Sequence, residues 1–397
     1  MLAVIERDGN VAIYDAEGKN PFAVTTDADG QTRAYQWVTW STDGRLAFFG
    51  VSIDPSDPYT LRVYVLERPQ RGEIPQIAYT APLDVFTYAY WSPADCPTGN
   101  CRDLALLYTA GDGSGLAVKM IRAKAGQYEE ISVGRAAPFY YSFSPDGQQM
   151  LWHRFSRQLE IYDVASNEVE RILDDVPGTF QSPMWSPKDD RLLFAVRGSA
   201  DELSDVVIAD GDARTVLLSD QPAPVSMAWS PDAEKVAIVS GFDKLRVVDT
   251  NGNVMAESAQ GQVVGHFWAP DSTRVAYISL VPSRSRTALA QFSSNGHNDD
   301  SAFPERQQSS QLTWYVLDIV SGTSTALTSF TPTPQMVYYL NFFDQFSRSH
   351  SLWSPDSTYL VYGAIENGAP AVLLANTRQA GTTVRVSDGV MGVWSWQ

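Results

Sequence analysis

The sequence contains few of the side chains that metal, haem and thiol chemistry require. Its 397 residues include four histidines and two cysteines. No Cys-x-x-Cys-His motif marks a covalently attached haem, and two cysteines cannot complete a four-ligand zinc site on their own. These absences predict no cofactor and no metal. The histidines are scattered along the chain, at His153, His266, His297 and His350.

Basic side chains and long apolar runs are also scarce. The chain carries 29 Lys and Arg against 46 Asp and Glu, which gives a formal net charge of −17. An acidic surface repels a phosphate backbone, so nucleic acid is not expected as a partner. No apolar run approaches the ~18–20 residues that a membrane-spanning helix needs. The first residues also lack the basic segment and the cleavage site of a signal peptide. We expect an acidic protein without a transmembrane segment.

A short repeat is what the sequence has in abundance. An aromatic residue followed by a turn of the type Ser-Pro-Asp-Gly occurs seven times, at spacings of about 40–50 residues with one step of about 85. Proline presets such a turn, and Asp or Gly supplies a side-chain acceptor or a positive φ. Each copy therefore predicts a hairpin. The aromatic positions are Trp40, Trp91, Phe143, Trp185, Trp229, Trp268 and Trp353, and Trp394 begins an eighth copy.

Strand-like segments fill the space between these turns. Runs rich in β-branched and aromatic residues follow the turns, as at 45–49 and 235–239, and further short runs complete each repeat. Four strands in about 40 residues is the period of a propeller blade. We find no sustained apolar spacing of three and four over a helical length. The chain is predicted to be an all-β, eight-bladed β-propeller with four antiparallel strands per blade and almost no helix.

Ring closure is predicted from the two ends of the sequence. The run at 390–396 is typical of an inner strand, and the three strands that should follow it begin instead at Leu2, Val11 and Phe22. Pairing the two ends leaves no open sheet edge. We predict one domain, 1–397, whose closing blade combines 390–397 with 1–30. A polar insertion is predicted at about 282–311.

On these motifs the chain resembles the TolB-type propellers, whose blades carry a Trp-Ser-Pro-Asp-Gly turn. The same turn recurs in the propeller domains of the tricorn protease and of prolyl-peptidase relatives. The resemblance covers essentially the whole chain, and it implies the fold and not a function. Several copies depart from the motif: Thr42 replaces proline, Ala269 replaces serine, and the turn after Trp91 carries extra residues that include both cysteines. A prolyl-peptidase relative would need a hydrolase domain with a Gly-x-Ser-x-Gly motif, and none occurs.

The two faces of the predicted ring differ. The top face carries the connections between the second and third strands of each blade and the links between blades; the bottom face carries the other turns. Positions just before the repeated aromatic residues form the lip of the central channel on the top face, where the connection 331–349 also lies. Rings at a concave mouth suit sugars, peptide side chains or a partner's anchor residue. The alternative is that they only pack between inner strands. The candidate ligand-binding residues, here called the lip residues, are Tyr35, Trp37, Phe86, Tyr88, Phe139, Tyr140, Phe180, His266, Tyr338, Tyr339 and His350.

Two polar clusters could carry other chemistry. His266 and His350 precede the repeated aromatic residues of adjacent blades, so together they could bind an anion or a metal across the mouth. The segment 295–300 groups a histidine with two aspartates, but polar residues are expected in a solvated insertion. We favour the structural interpretation for both clusters and assign no metal site.

The two cysteines predict a disulfide. Cys96 and Cys101 lie five residues apart in an enlarged turn on the bottom face. Two free thiols would show the same spacing, but a disulfide that staples the turn is favoured, and it implies an oxidising compartment. Export needs a targeting segment. Because Leu2 already belongs to a predicted strand, we expect that such a segment preceded Met1 and was removed, and that the protein is extracytoplasmic, in the periplasm or at the cell surface.

The predicted function is binding. We expect a non-catalytic binding or scaffold propeller that recognises a protein or peptide through the aromatic lip. One alternative is a glycan or cell-wall binding propeller in which aromatic rings stack on sugars. The other is a hydrolase or lyase with acids at the channel mouth, which would require two carboxylates about 5–10 Å apart facing the channel. No such pair can be placed from the sequence.

Overall fold

The protein is a closed ring of eight β-sheets. A computed structural model describes residues 1–57, 60–280 and 311–397. Each sheet is antiparallel, and its strands follow one another outward from the centre of the ring. The predicted all-β, eight-bladed propeller is confirmed.

The bounds of the described strands follow the repeat. In chain order the first half comprises β1 (Leu2–Ile5), β2 (Val11–Tyr14), β3 (Phe22–Ala23), β4 (Arg33–Trp40), β5 (Leu46–Ser52), β6 (Leu61–Leu66), β7 (Gln76–Ala81), β8 (Val85–Trp91), β9 (Arg102–Thr109), β10 (Leu116–Lys124), β11 (Gln127–Ala136), β12 (Phe139–Phe143), β13 (Gln149–Arg154), β14 (Gln158–Asp163) and β15 (Glu168–Ile172). The second half comprises β16 (Met184–Trp185), β17 (Leu192–Arg197), β18 (Leu203–Asp210), β19 (Ala213–Pro222), β20 (Val225–Trp229), β21 (Lys235–Ser240), β22 (Leu245–Asp249), β23 (Val254–Glu257), β24 (Val263–Trp268), β25 (Arg274–Leu280), β26 (Leu312–Asp318), β27 (Ser324–Phe330), β28 (Tyr359–Glu366), β29 (Ala369–Asn376), β30 (Thr383–Ser387) and β31 (Met391–Trp394).

Two short helices interrupt the β pattern within the described residues. They are α1 (Pro334–Asn341) and α2 (Phe343–Phe346), and both lie in the connection between β27 and β28. The sequence predicted this connection as a loop on the top face. No helix in the described part of the chain is long and apolar enough to cross a membrane.

The blades take their strands in order. From the centre outward, blade 1 consists of β31, β1, β2 and β3, blades 2 to 7 each use four consecutive strands from β4 to β27, and blade 8 contains β28 to β30. In blade 8 the innermost position is held by 351–353, which joins its neighbours through isolated bridges. The ring closes because β31 pairs antiparallel with β1, with Leu2 opposite Trp394 and Ile5 opposite Met391. The predicted pairing of the two ends is confirmed.

The repeated tryptophan joins several of the blades to the one before it. In four blades its indole N–H donates a hydrogen bond to a backbone carbonyl on the innermost strand of the preceding blade. The bonds run from Trp40 to Val393 (3.2 Å), from Trp91 to Thr39 (3.3 Å), from Trp268 to Ala228 (3.0 Å) and from Trp353 to Phe267 (3.0 Å). A large ring with one donor thus fills the space between sheets and satisfies its only polar group.

The rest of the motif closes the hairpin. In blade 4 the hydroxyl of Ser144 donates to Asp146 (2.6 Å) and accepts the backbone N–H of Gln149 (3.0 Å). In blade 8 the hydroxyl of Ser354 donates to Asp356 (2.6 Å) and accepts the N–H of Tyr359 (2.8 Å). Serine therefore caps the start of the second strand while aspartate orients the serine hydroxyl.

The outermost strands are protected from pairing with other chains. In blades 2 to 8 the register of the outermost pair shifts at a β-bulge. A bulge bends and twists an edge strand, which makes it a poor template for another strand. The outer rim is therefore an unfavourable place for a partner to bind by strand addition.

Candidate functional site

The connection between blades 7 and 8 fills the central channel. Residues 331–350, here called the plug, contain α1 and α2 and touch every blade, at or next to the innermost strand in blades 1 to 7 and at β28 in blade 8. A segment that reaches all eight blades can lie only on the axis of the ring. The contacts to blades 1 to 8 are, in order, through Val390, Thr39, Tyr88, Tyr141, Ser182, β20, His266 and Gly363.

The plug forms helix for local reasons. Thr333 is the N-cap of α1, since its hydroxyl accepts the backbone N–H of Met336 (3.2 Å), and Pro334 occupies the first turn, where a missing N–H costs nothing. Met336, Tyr339 and Leu340 are the buried residues of α1. Their spacing of three and four is typical of a helix, but it spans only two turns, so the sequence analysis missed it.

Three lip residues of the blades pack directly on the plug. The ring of Trp37 lies 4.8 Å from that of Phe346 and 5.2 Å from that of Tyr338. The hydroxyl of Tyr88 donates to the carbonyl of Gln345 (2.9 Å), and the ring of His266 lies 5.0 Å from Phe343. Within the plug, Tyr339 donates to the carbonyl of His350 (2.9 Å). The structure thus brings Trp37, Tyr88, His266, Tyr338, Tyr339 and His350 together around the channel axis.

The other lip residues lie between or within the sheets. Tyr35 packs on Phe48 and Tyr64 and donates to Asp27 (2.8 Å). The remaining ring contacts are Phe86 on Phe49 (4.0 Å), Phe139 on Trp152 (5.1 Å), Phe180 stacked on His153 (4.4 Å) and Tyr140 near His153 (6.1 Å). Of the eleven lip residues only Tyr140 and Tyr338 are partly exposed; the others are buried. Their role in ligand binding stays a prediction.

His266 and His350 are buried and uncharged at neutral pH. Burial lowers the pKa of His266 and of His350 to about 3. His266 Nε2 lies 3.3 Å from the hydroxyl of Ser226, and His350 Nδ1 lies 2.6 Å from the hydroxyl of Ser349. A neutral imidazole gives an anion no charge to bind, so the structure does not favour an anion site between them. Among the described residues no group of three His, Cys, Asp or Glu side chains is placed to hold a metal ion.

Asp344 and Arg348 fasten the plug to blades 4 and 5 by hydrogen bonds. Asp344 accepts the backbone N–H of Ser182 (3.2 Å), and the guanidinium of Arg348 donates to the hydroxyl of Ser182 and to the carbonyls of Pro183 (3.1 Å) and Tyr141 (2.9 Å). Burial raises the pKa of Asp344 to about 6. Asp344 and Arg348 stand four residues apart, a helical spacing that could have pointed to both, but no helix was predicted there.

The exposed part of the top face is apolar in places. Five large apolar side chains stand out from its described loops: Ile53, Leu83, Val85, Phe155 and Val176. Beside Leu83 lies a concavity of about 320 Å³, lined by 82–84, 110–112, Tyr108 and Arg135. These residues could not be predicted from the sequence, because isolated aliphatic residues on a protein surface form no recognisable pattern.

The predicted insertion at about 282–311 falls almost entirely on residues that the structure does not describe. Residues 281–310 lie outside the described part of the chain, and they include the segment 295–300 and His297.

The predicted disulfide is confirmed. Cys96 and Cys101 are joined in the turn between β8 and β9, with a Cα–Cα distance of 5.4 Å. The turn holds Arg102, whose guanidinium lies 3.1 Å from Asp95 and 3.4 Å from Asp43 of blade 2. The disulfide therefore supports an ionic contact between two blades on the bottom face.

Comparison with known proteins supports the fold alone. No family model matches the chain, and no curated protein matches it. Among solved structures, a eukaryotic initiation factor is similar at 10% identity and a TM-score of 0.54, covering 99% of this chain and 97% of that one. The propeller domain of the Trilobed protease from Pyrococcus furiosus is similar at 12% identity and a TM-score of 0.49, over 90% and 99%. TolB from Acinetobacter baumannii is similar at 14% identity and a TM-score of 0.41, over 88% and 78%.

These similarities leave the family open. TolB is among the similar structures, but the assignment to the TolB-type family stays a prediction. At 10–14% identity the residues that act in those proteins cannot be transferred to positions of this chain.

Proposed function

We propose that the protein is a non-catalytic, extracytoplasmic binding or scaffold propeller that recognises a protein or peptide partner through its top face. The observation that carries the proposal is the plug. The plug, a segment of the chain itself, occupies the channel mouth. The surface that remains for a partner is therefore the part of the top face around the plug. Apolar side chains that stand out from that surface are typical of interaction sites.

The exposed apolar residues are spread over four adjacent blades, 2 to 5. Ile53 lies in blade 2, Leu83 and Val85 at the start of blade 3, Phe155 in blade 4, and Val176 before blade 5. They stand on loops held by a rigid scaffold, which is how binding surfaces are commonly built. A protein partner can cover several of these positions at once, whereas a small molecule cannot.

The lip residues have a defined part in this proposal. Trp37, Tyr88 and His266 hold the plug in place, and the partly exposed Tyr140 and Tyr338 belong to the surface that a partner meets. A ligand that reached Trp37 or Tyr88 would first have to displace Phe346, whose ring packs on both. The partner is therefore expected to bind over the plug and not within the channel.

The disulfide supports the location. A buried disulfide between Cys96 and Cys101 forms and persists in an oxidising compartment. The periplasm or the cell surface provides one, and a partner would then be a protein or peptide of the same compartment.

Site-specific photo-crosslinking tests the proposal. Photoreactive benzoylphenylalanine replaces Phe155 or Val176 on the top face, and in a matched control it replaces Val320, which is exposed in the bottom-face turn between β26 and β27. Each protein is incubated with envelope extract and irradiated. A discrete protein adduct at 155 or 176, but not at 320, is the expected result.

Other adduct patterns contradict the proposal. Adducts at 320 alone, or equally at all three positions, would move the partner off the top face. If no position yields an adduct while added saccharide quenches tryptophan fluorescence, the glycan-binding alternative replaces the protein-binding one.

A further inference from the structure

Leu83 has an unusual combination of exposure and backbone conformation. Its side chain is 65% exposed, and its φ of +67° lies in the left-handed region that leucine rarely adopts. An exposed leucine gains nothing from burial that would offset the cost of this conformation. Surrounding contacts must therefore hold it.

Those contacts come from Asp84 and Gly111. Asp84 accepts the backbone N–H of Gly111 (2.9 Å) through one carboxylate oxygen and the hydroxyl of Tyr79 (3.0 Å) through the other. At Gly111 a Cβ atom would stand 2.4 Å from the Cβ of Leu83, so only glycine fits there. The link between blades 2 and 3 is thus pressed against the loop between β9 and β10, and Leu83 is presented to solvent in a preset position.

Two more aliphatic side chains stand beside it. Val85 is 57% exposed and Ile53 is 71% exposed. Thr60 connects the two loops, because its carbonyl accepts the backbone N–H of Ser52 (3.4 Å) and its hydroxyl donates to the carbonyl of Asp84 (3.0 Å). Thr60 thus ties the loop that carries Ile53 to the segment that carries Leu83 and Val85, and these three exposed residues at the boundary of blades 2 and 3 are here called the Leu83 patch.

A concavity adjoins the Leu83 patch. Its volume of about 320 Å³ is at the lower end of ligand sites, enough for a few side chains and too small for a folded element. Its walls include Pro82 and Tyr108, which are apolar, and Arg135 and Asp112, which can hydrogen-bond. A partner could place an apolar side chain against Leu83 and Tyr108.

The charges around the patch favour a basic partner. Hydrogen bonds from Ser56 lower the pKa of Asp54, and hydrogen bonds from Ser114 lower that of Asp112, so both exposed carboxylates are ionised at neutral pH. Nearby Arg33 and Arg62 are each paired with an aspartate, Asp27 and Asp57. Arg135 lies 3.4 Å from Asp112 and offsets one charge. The balance is acidic, as is the chain as a whole.

We infer that the Leu83 patch and its concavity are the docking site for an extended basic segment of a partner protein. One apolar side chain of that segment enters the concavity beside Leu83, and flanking Lys or Arg side chains approach Asp54 and Asp112. This inference rests on the proposed function, since it names where on the top face the partner binds and by which chemistry. It also explains why a strained leucine is held in the open, as anchor contacts of this kind dominate binding energy.

Peptide selection on the full chain tests the inference. The immobilised protein is used to select from a phage library of random 12-residue peptides, and the enriched peptides are synthesised and titrated. We expect them to share one large apolar residue flanked by at least two Lys or Arg. Leu83→Asn should weaken their binding at least about tenfold, while Val320→Asn should leave it unchanged.

The Leu83→Asn variant should remain folded, so that weaker binding can be assigned to the lost side chain. Asparagine tolerates a positive φ better than leucine, so Leu83→Asn relieves strain and is expected to fold. It leaves the net charge unchanged, so a loss of binding reports the apolar contact. A second variant, Asp54→Asn with Asp112→Asn, tests the charge: we expect about threefold weaker binding and a shallower dependence on salt.

Each other outcome overturns the inference in a recognisable way. If the enriched peptides bind Leu83→Asn as tightly as they bind wild type, the docking site lies elsewhere. If the enriched peptides are acidic or uncharged, the inference that the partner segment is basic is wrong. If no peptide is enriched, the docking site is rejected, and photo-crosslinking at 155 and 176 decides separately whether the top face binds a protein at all.

Discussion

Trp229 and Trp353 occupy equivalent places in blades 6 and 8 and differ by one hydrogen bond. Both are buried, and an arginine lies over each ring, Arg191 at 5.0 Å and Arg274 at 5.4 Å. The indole N–H of Trp353 donates to Phe267 (3.0 Å), whereas that of Trp229 has no partner among the described residues. The repeated tryptophan therefore forms a hydrogen bond to the preceding blade in blade 8 but not in blade 6.

Comparing substitutions at Trp229 and Trp353 measures the contribution of the indole hydrogen bond to stability. Trp353→Phe should lower the free energy of unfolding by about 1 kcal/mol more than Trp229→Phe, because both substitutions lose ring area and a cation contact but only the first leaves a carbonyl unpaired. Chemical denaturation of the two variants measures the difference. Equal losses would mean that the indole fills space and nothing more.

Asp344 should make stability depend on pH. Its pKa is raised by burial from about 4 in the unfolded chain to about 6 in the fold, so the folded state favours the protonated form. The stability gained from this is present below pH 4 and lost as the pH rises through 6. The free energy of unfolding of Asp344→Asn should exceed that of wild type by on the order of 2–3 kcal/mol at pH 8, and the two should be equal at pH 4.

Unfolding at pH 4, 6 and 8 checks this. The matched control is Asp201→Asn, whose side chain is 91% exposed and for which no such gain is expected. If Asp344→Asn is less stable than wild type at pH 8, the ionised carboxylate must be stabilised by Arg348 more than burial penalises it.

At the scale of elements, the turn from Cys96 to Cys101 shows how an irregular repeat is kept in place. Closing a loop of about six residues stabilises a fold by roughly 2 kcal/mol in the chain-entropy account. Replacing both cysteines with serine should lower the free energy of unfolding by about that amount. Adding reductant should lower the stability of wild type to that of the variant and leave the variant unchanged. A variant as stable as wild type would show that the turn holds Arg102 without the disulfide.

At the scale of the whole molecule, the plug joins all eight blades. Phe346 is buried among Trp37, Tyr88, Tyr338 and Tyr339 at its centre. Phe346→Ala should lower the free energy of unfolding by about 3–5 kcal/mol, because it leaves a cavity on the axis of the ring. The control Phe155→Ala, at an exposed position, should lower it by less than about 0.5 kcal/mol. Thermal and chemical unfolding measure both. Similar small losses would mean that the blades hold the ring without the plug.

The sequence by itself determined the blades and the way the ring closes. The repeated turn is a local signal, because the bonds among Ser144, Asp146 and Gln149 lie within six residues, and copies at a regular spacing specify one sheet each. The cysteine pair could also be predicted from the sequence, since its members lie only five positions apart. Strand alternation, turn chemistry and loop length are all encoded in neighbouring positions, and the structure followed them.

Only the tertiary structure decided what fills the channel and what the top face presents. Trp37 and Phe346 are more than 300 positions apart, and nothing local in the sequence says that one covers the other. Leu83 is exposed because Gly111, in another loop, allows its backbone to approach. Such contacts depend on where the ring brings distant loops, and that position is set by all eight blades together.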